Sequence, residues 1–224
     1  QLVQSRSGVQ IDPAKAYLVE TRLGPLARRE GFPSHTELFA ALREKRDDRL
    51  IWAVTEAMTS TETAFFRDKV PFEQFRDDVL PTLARLRGAN PIRVWSAACA
   101  TGQEAYSLAM LVDEGRGQLQ GAQVELFGSD IPERCLEKAQ SGLYTQFEVQ
   151  RGLPIRLLVR HFEKTEEMWT LSPRIRQMVR WRRINLIADI TKLGRFDVIF
   201  CRNVLSSFDE AVRKRVLENL AALL

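Results

Sequence analysis

The chain has 224 residues, 45% hydrophobic and 28% charged, enough for one sizeable core with a smaller unit beside it. No apolar run approaches the roughly 20 residues of a membrane helix, and the N-terminus lacks a basic-then-apolar leader, so a soluble, cytoplasmic protein without membrane insertion is expected. Three cysteines without CxxC spacing and two histidines in unrelated segments argue against disulfide frameworks, metal sites and hydrolytic triads, while the net charge of +4 favours an acidic partner of unspecified kind.

Asp12 as N-cap with Pro13 at the first helical position predicts a helix start, followed by an apolar stripe of Tyr17, Leu18 and Leu23 that Gly24-Pro25 must kink or end. Gly31 closes a helix at Arg28-Arg29, Ser34 opens another through Leu42, and Arg49 to Met58 forms a third, so residues 1 to 58 are expected to be a small helical unit. Its basic residues are either a solvated face or a docking surface. Thr59-Ser-Thr-Glu-Thr-Ala-Phe-Phe-Arg-Asp68 is neither good helix nor good strand; it is a pocket lining or a capped turn into a helix from Pro71 to about Leu86.

Ile92 to Trp95 reads as a strand, Ala97 to Gly102 as a tight small-residue turn and Gln103 to Asp113 as a helix, the layout in which open α/β sheets bind small molecules at a helix N-terminus. There is no GxGxxG. Val124 to Asp130 is a second strand that ends in an acid, where a carboxylate can accept hydrogen bonds from ribose hydroxyls, and Glu104 offers another carboxylate nearby. Pro132 to Ser141 and Leu153 to Phe162 read as helices. Arg174, Arg176, Arg180 and Arg182 alternate with Ile175, Gln177, Val179 and Trp181, which predicts a strand with one basic face over residues 174 to 183. Ile184-Asn-Leu186 ends it with an amide. Phe196 to Cys201 is a buried parallel-type strand followed by Arg202 and Asn203, and Glu210 to Leu224 is an amphipathic helix after which a doubly wound sheet ordinarily continues, so the chain reads as cut short. The spacing thus places Ala97 to Gly102, Asp130, Asn185 and Asn203 at one edge of a sheet and favours a nucleoside cofactor.

These residues resemble the CheR-type protein-glutamate O-methyltransferases of bacterial chemotaxis. The likeness rests on residues 59 to 68, Arg93-Val-Trp-Ser-Ala-Ala-Cys-Ala-Thr-Gly-Gln-Glu104, Gly128-Ser-Asp-Ile131 and Phe196-Asp-Val-Ile-Phe-Cys-Arg-Asn-Val204. It implies a Rossmann-like S-adenosylmethionine methyltransferase sheet over residues 59 to 224, a small all-helical N-terminal domain over 1 to 58 and a small β-subdomain within about 163 to 183. It implies S-adenosylmethionine as cofactor, S-adenosylhomocysteine as product and no metal. The implied cofactor pocket is Thr61, Thr63, Arg67, Glu104, Asp130, Asn185, Leu186, Asn203 and Val204: Asp130 for the ribose, Asn185 and the Asn203 region for the adenine, Glu104 for the ammonium group. Arg67, also the candidate catalytic residue, orients a carboxylate of cofactor or substrate.

The implied partner is a methyl-accepting chemotaxis receptor, whose methylation helices meet Lys15, Arg22, Arg28 and Arg29. Some relatives hold a receptor pentapeptide on a glycine-containing loop of the β-subdomain; Glu163-Lys-Thr-Glu-Glu-Met-Trp-Thr170 is short and has no glycine, so pentapeptide tethering is not expected. Where the family has Asn, Pro and Tyr, this chain has Thr61, Ala105 and Ser207. Ser207 motivates an alternative, a cofactor-binding regulatory relative with reduced or lost turnover. A nucleic-acid methyltransferase using the arginine face lacks the aromatic stacking and amine-directed motif such sites carry, so no nucleic-acid partner is expected.

Overall fold

The computed structural model describes residues 1–11, 17–44, 47–88, 90–119 and 121–224. The chain divides into two compact units: residues 1–60 with 185–189 and 203–218, and residues 61–184 with 190–202 and 219–224.

The smaller unit carries helices α1 (Leu2–Ser7), α2 (Tyr17–Arg29), α3 (His35–Glu44) and α4 (Asp48–Met58). The helix start at Asp12-Pro13 and the docking candidate Lys15 lie outside the described residues. Asp47 caps α4 by accepting from the N–H groups of Arg49 (2.9 Å) and Leu50 (3.3 Å), and the buried Leu50, Val54 and Met58 follow at four-residue spacing. They meet Leu23, Leu26 and Ala27 of α2, Leu38 of α3 and Val3 of α1 in one apolar cluster. Of the two outcomes expected at Gly24-Pro25, a kink or an end, the end does not occur, and α2 runs on to Arg29. A proline disfavours helical backbone before it through a clash with the preceding Cβ, and Gly24 has none. The helix then closes as expected, Phe32 N–H reaching Ala27 O (2.8 Å) and Gly31 N–H reaching Arg28 O (3.2 Å). The later segments join this unit through Gln4 Nε2 donating to Asp209 Oδ2 (3.0 Å) and through Gly8, where an added Cβ would lie 2.9 Å from Ile187 and 3.0 Å from Val212.

In the larger unit, α5 (Val70–Gln74), a π-helical turn (Phe75–Val79) and α6 (Leu80–Arg87) form the helix read from Pro71 onward. The wide turn, in which Leu80 N–H reaches Phe75 O, falls just before Pro81, whose ring and missing N–H disrupt a regular ladder. Then come β1 (Ile92–Ala97), α7 (Gln103–Glu114), β2 (Val124–Asp130), α8 (Glu133–Ser141), β3 (Leu143–Thr145), α9 (Gln146–Gln150), α10 (Ile155–His161), β4 (Phe162–Thr165), β5 (Met168–Leu171), α11 (Pro173–Arg176), β6 (Val179–Arg183), β7 (Val198–Cys201) and α12 (Glu210–Ala221), the last shared between the units. The main sheet has the order β6-β2-β1-β7 and every pairing is parallel, so all four strands end on the same edge. α7 is buried on all sides from Ala105 to Asp113, as expected of a helix packed within a core.

A second sheet is antiparallel with the order β3-β5-β4. It occupies residues 143–171, not 163–183, and the expected long arginine strand is two elements. Ser172 N–H closes onto His161 O (2.8 Å), and Pro173, with no N–H to give a ladder, starts a helical turn carrying Arg174 and Arg176. Only Val179–Arg183 is extended, and it pairs with β2 in the parallel sheet. Arg174 reaches Asp113 (2.6 Å) and Arg176 donates to Ser141 O (3.0 Å), so the alternating arginines serve two different structural tasks.

Gly152 (φ +83°) lies so close to the chain that a Cβ there would collide with the carbonyl oxygen of Phe65, a backbone atom with no rotamer to yield. Gly152→Ala is expected to destabilise the protein by about 1–3 kcal/mol, combining left-handed strain with the overlap; an unchanged denaturant midpoint would show that the two segments separate freely.

Candidate cofactor site

β1 delivers the buried Ser96 and Ala97 into a loop in which Ala98 (φ +57°), Ala100 (φ +49°) and Gly102 (φ +93°) are all left-handed. Side-chain-bearing residues adopt this region at a cost of roughly 1–2 kcal/mol each, so the surrounding bonds must hold them. Ala100 N–H donates to Asp130 Oδ2 (2.6 Å), Cys99 N–H to Ser129 O (2.9 Å) and Tyr144 Oη to Thr101 O (2.8 Å). A Cβ on Gly102 would lie 2.8 Å from Ala139 and 2.9 Å from Trp181. The glycine is thus required by α8 and β6 packing against it, where the sequence alone points to a ligand.

Asp130 ends β2. Its second oxygen, Oδ1, accepts from its neighbour Ile131 N–H (2.7 Å). Burial pushes its carboxyl above the ordinary aspartate range, opposed by those backbone donors. Each carboxylate oxygen holds two lone pairs, so one acceptor site per oxygen remains beyond these two bonds.

Glu104 lies in the first turn of α7. Oε1 accepts from Ser96 Oγ (2.8 Å) and Oε2 from Arg202 (3.0 Å). Burial raises its pKa from 4.5; the Ser96 hydrogen bond, Arg202 and then Arg67 oppose the rise. Arg67 is half-buried and donates to Glu62 O (3.2 Å) in its own loop, while Phe66 N–H is anchored by Ser107 Oγ (2.9 Å) of α7. Thr61 and Thr63 are half-buried in the same segment. The larger unit therefore holds Thr61, Thr63, Arg67, Glu104 and Asp130, and directly ties Asp130 to the β1 loop and Glu104 to β1 and the end of β7.

The remaining candidates pack within the smaller unit. Asn185, two residues past β6, donates from Nδ2 to Arg6 O (2.6 Å) and accepts from Ile187 N–H (3.3 Å), and Leu186 is buried. Asn203 is exposed with φ +58°, and Val204 is half-buried. The Ser207 hydroxyl donates to Val204 O (2.6 Å). Arg22 donates to the carbonyls of Met58 (2.7 Å) and Thr59 (3.4 Å), closing the end of α4, which gives it a structural task beside any docking role. Arg28 and Arg29 are exposed, and Arg29 sits 3.3 Å from Glu30. Ser96 and Arg202 were not among the sequence candidates. A buried carboxylate needs partners, and a cation directly after a buried strand is the signal that pointed to one.

These features define a class: a Rossmann-like α/β domain with one buried carboxylate ending a parallel strand and another in the first turn of the helix after β1, preceded by a helical segment. A family model described as "CheR methyltransferase, SAM binding domain" matches residues 61–224, and one described as "CheR methyltransferase, all-alpha domain" matches residues 1–59. The chain is 38% identical to "Chemotaxis protein methyltransferase 1" of Pseudomonas aeruginosa over 96% of its length and 80% of the relative's. It is 37% identical to "Chemotaxis protein methyltransferase Cher2" of Pseudomonas putida, again over 96% and 80%, and 34% identical to "Chemotaxis protein methyltransferase 1" of Vibrio cholerae over 100% and 82%. The chain belongs to the CheR methyltransferase family.

The residues present fit S-adenosylmethionine. Asp130 offers its remaining lone pairs, as a pair of vicinal hydroxyls requires, and Glu104 is an acceptor-only group suited to an ammonium.

Because the folded Glu104 carboxyl binds its proton more tightly than the unfolded one, the unfolded state carries fewer protons above pH 4.5, and Glu104 costs stability as pH rises through the folded pKa. Relative to Glu104→Gln, the wild type should lose unfolding free energy as the pH rises above about 4.5; parallel stability curves for the two proteins would refute the assignment.

Proposed function

We propose that the protein transfers a methyl group from S-adenosylmethionine to glutamate side-chain carboxylates of chemoreceptors, in the adaptation step of chemotaxis. The observation that carries the reading is Asp130, a buried carboxylate at the end of β2 gripped by the N–H groups of Ala100 and Ile131, inside a segment that matches the family's SAM-binding domain. S-adenosylmethionine supplies an electrophilic methyl on a sulfonium. Asp130 accepts from the ribose hydroxyls, Glu104 faces the ammonium, and Arg67, in the field of Glu104, orients a carboxylate. An acceptor glutamate with a pKa near 4.3 is already ionised at neutral pH, so no side chain has to remove a proton. Rate then comes from alignment and exclusion of water, for which a loop held by its own backbone bonds is suited.

The receptor is engaged through the exposed basic residues Arg28 and Arg29, with Lys15 and Arg22 as further candidate contacts, and without pentapeptide tethering. The latter is supported by the β4–β5 hairpin, whose connection is only Glu166-Glu167, with Glu166 at φ +54°. No helix among the described residues is long and apolar enough to cross a membrane, and we place the protein in the cytoplasm, where receptor methylation helices are exposed.

Two measurements test the reading. Methyl-labelled S-adenosylmethionine and chemoreceptor should give base-labile methyl ester recovered as methanol; cofactor binding with no such product on any receptor would falsify the enzymatic assignment. By calorimetry, Asp130→Ala should weaken S-adenosylmethionine and S-adenosylhomocysteine by roughly 1.5–3 kcal/mol, about 10- to 150-fold, and equal affinities would remove Asp130 from the ribose.

A further inference from the structure

Arg202 follows β7 directly, and its side chain is only 17% exposed. Its guanidinium donates to Glu104 Oε2 (3.0 Å), to Arg67 O (2.7 Å) and to Asp68 Oδ2 (2.7 Å), and stands over the ring of Phe72 with 5.4 Å to the centroid. One planar cation thus joins the start of α7, the end of β7 and the Phe66–Lys69 turn. That turn is strained, with φ +49° at Phe66, +62° at Asp68 and +26° at Lys69. A guanidinium presents five donors in a fixed fork, so it satisfies a carboxylate, a carbonyl and a second carboxylate together, which an ammonium cannot do with the same geometry.

We propose that Arg202 is a positioning residue for the amino-acid end of the cofactor: it fixes the Glu104 carboxylate as an anion and locks the Arg67–Asp68 turn beside it. The proposal rests on the cofactor reading above.

The charge balance around Glu104 supports it. The groups facing it are Ser96 from β1, Arg202 after β7, Arg67 from the preceding turn, and the thiols of Cys99 and Cys201. Burial pushes both thiols up, Cys201 to about 12, so they stay neutral and contribute no charge. Asp130 bears on Cys99 and adds only negative charge. Among the described residues Arg202 is the cation in hydrogen-bond contact with Glu104, and the 63%-exposed Asp68 shares it. Without Arg202 the 12%-exposed carboxylate keeps its burial penalty, loses its direct counter-charge and takes up a proton more readily. A neutral Glu104 no longer attracts an ammonium.

The test has one arm free of cofactor. In 13C carboxyl NMR titrations, Glu104 should titrate at higher pH in Arg202→Gln than in wild type and move back toward the wild-type value in Arg202→Lys. In the second arm, Arg202→Gln should weaken S-adenosylmethionine about tenfold or more at pH 6 and by less at pH 7.5. 5′-Methylthioadenosine, which has the nucleoside but no amino-acid arm, should bind all three proteins alike. An unmoved Glu104 titration would overturn the proposal, as would an equal loss of 5′-methylthioadenosine affinity, which marks a merely structural role. If Arg202→Gln does not fold, Arg202→Lys decides: the proposal requires a weaker grip on S-adenosylmethionine with 5′-methylthioadenosine unaffected. Failure of the wild type to bind S-adenosylmethionine would refute the cofactor reading separately, and the NMR arm would still decide whether Arg202 sets the charge of Glu104.

Discussion

A carboxylate taken out of water must have its charge met by donors already in place, and the larger unit is built around meeting it twice. Asp130 is met by two backbone N–H groups, one of them from a loop in which Ala98 and Ala100 are left-handed. Glu104 is met by a hydroxyl from β1 and a guanidinium from the end of β7. Neither solution is wholly local: Asp130 also draws on the loop after the neighbouring β1, and Glu104 on β1 and the end of β7, so both depend on the parallel order of the sheet. Burial still raises the pKa of both groups, so each carboxylate costs stability in its charged form.

The packing beneath these acids leaves little freedom. Gly102 is pressed by Ala139 and Trp181, Gly128 lies under the Trp181 ring, and that ring meets Tyr106 edge-on at 5.3 Å. The Phe65–Phe66 segment is held from two sides, by Ser107 on α7 and by the close approach of Gly152. For a methyltransferase, rigidity of this kind is a source of rate, because it reduces what must be ordered when the partners meet.

Particular elements show what could be read in advance. The strand, small-residue loop and helix from Ile92 to Asp113 were legible because apolar alternation, small residues and helical spacing agree there, and the acid closing the next strand followed from a short apolar run that ends in Asp130. Pro25 does not end its helix because the glycine before it removes the clash that ordinarily does so. The arginine strand was half wrong because period-two alternation over ten residues is equally compatible with one helical turn followed by a short strand, and Pro173 chose between them. Arg202 was visible only as a cation after a buried strand.

What the sequence by itself determined is therefore local: which segments bury a face, where turns fall, and which acids end strands, since these depend on side chains a few residues apart. What only the tertiary structure decided is pairing across the chain: that Gly102 makes room for a tryptophan, that Arg22 closes a helix, and that Arg202 neutralises an acid 98 residues away. Desolvation assigns those partners, and it acts only once distant segments have already excluded water from one another.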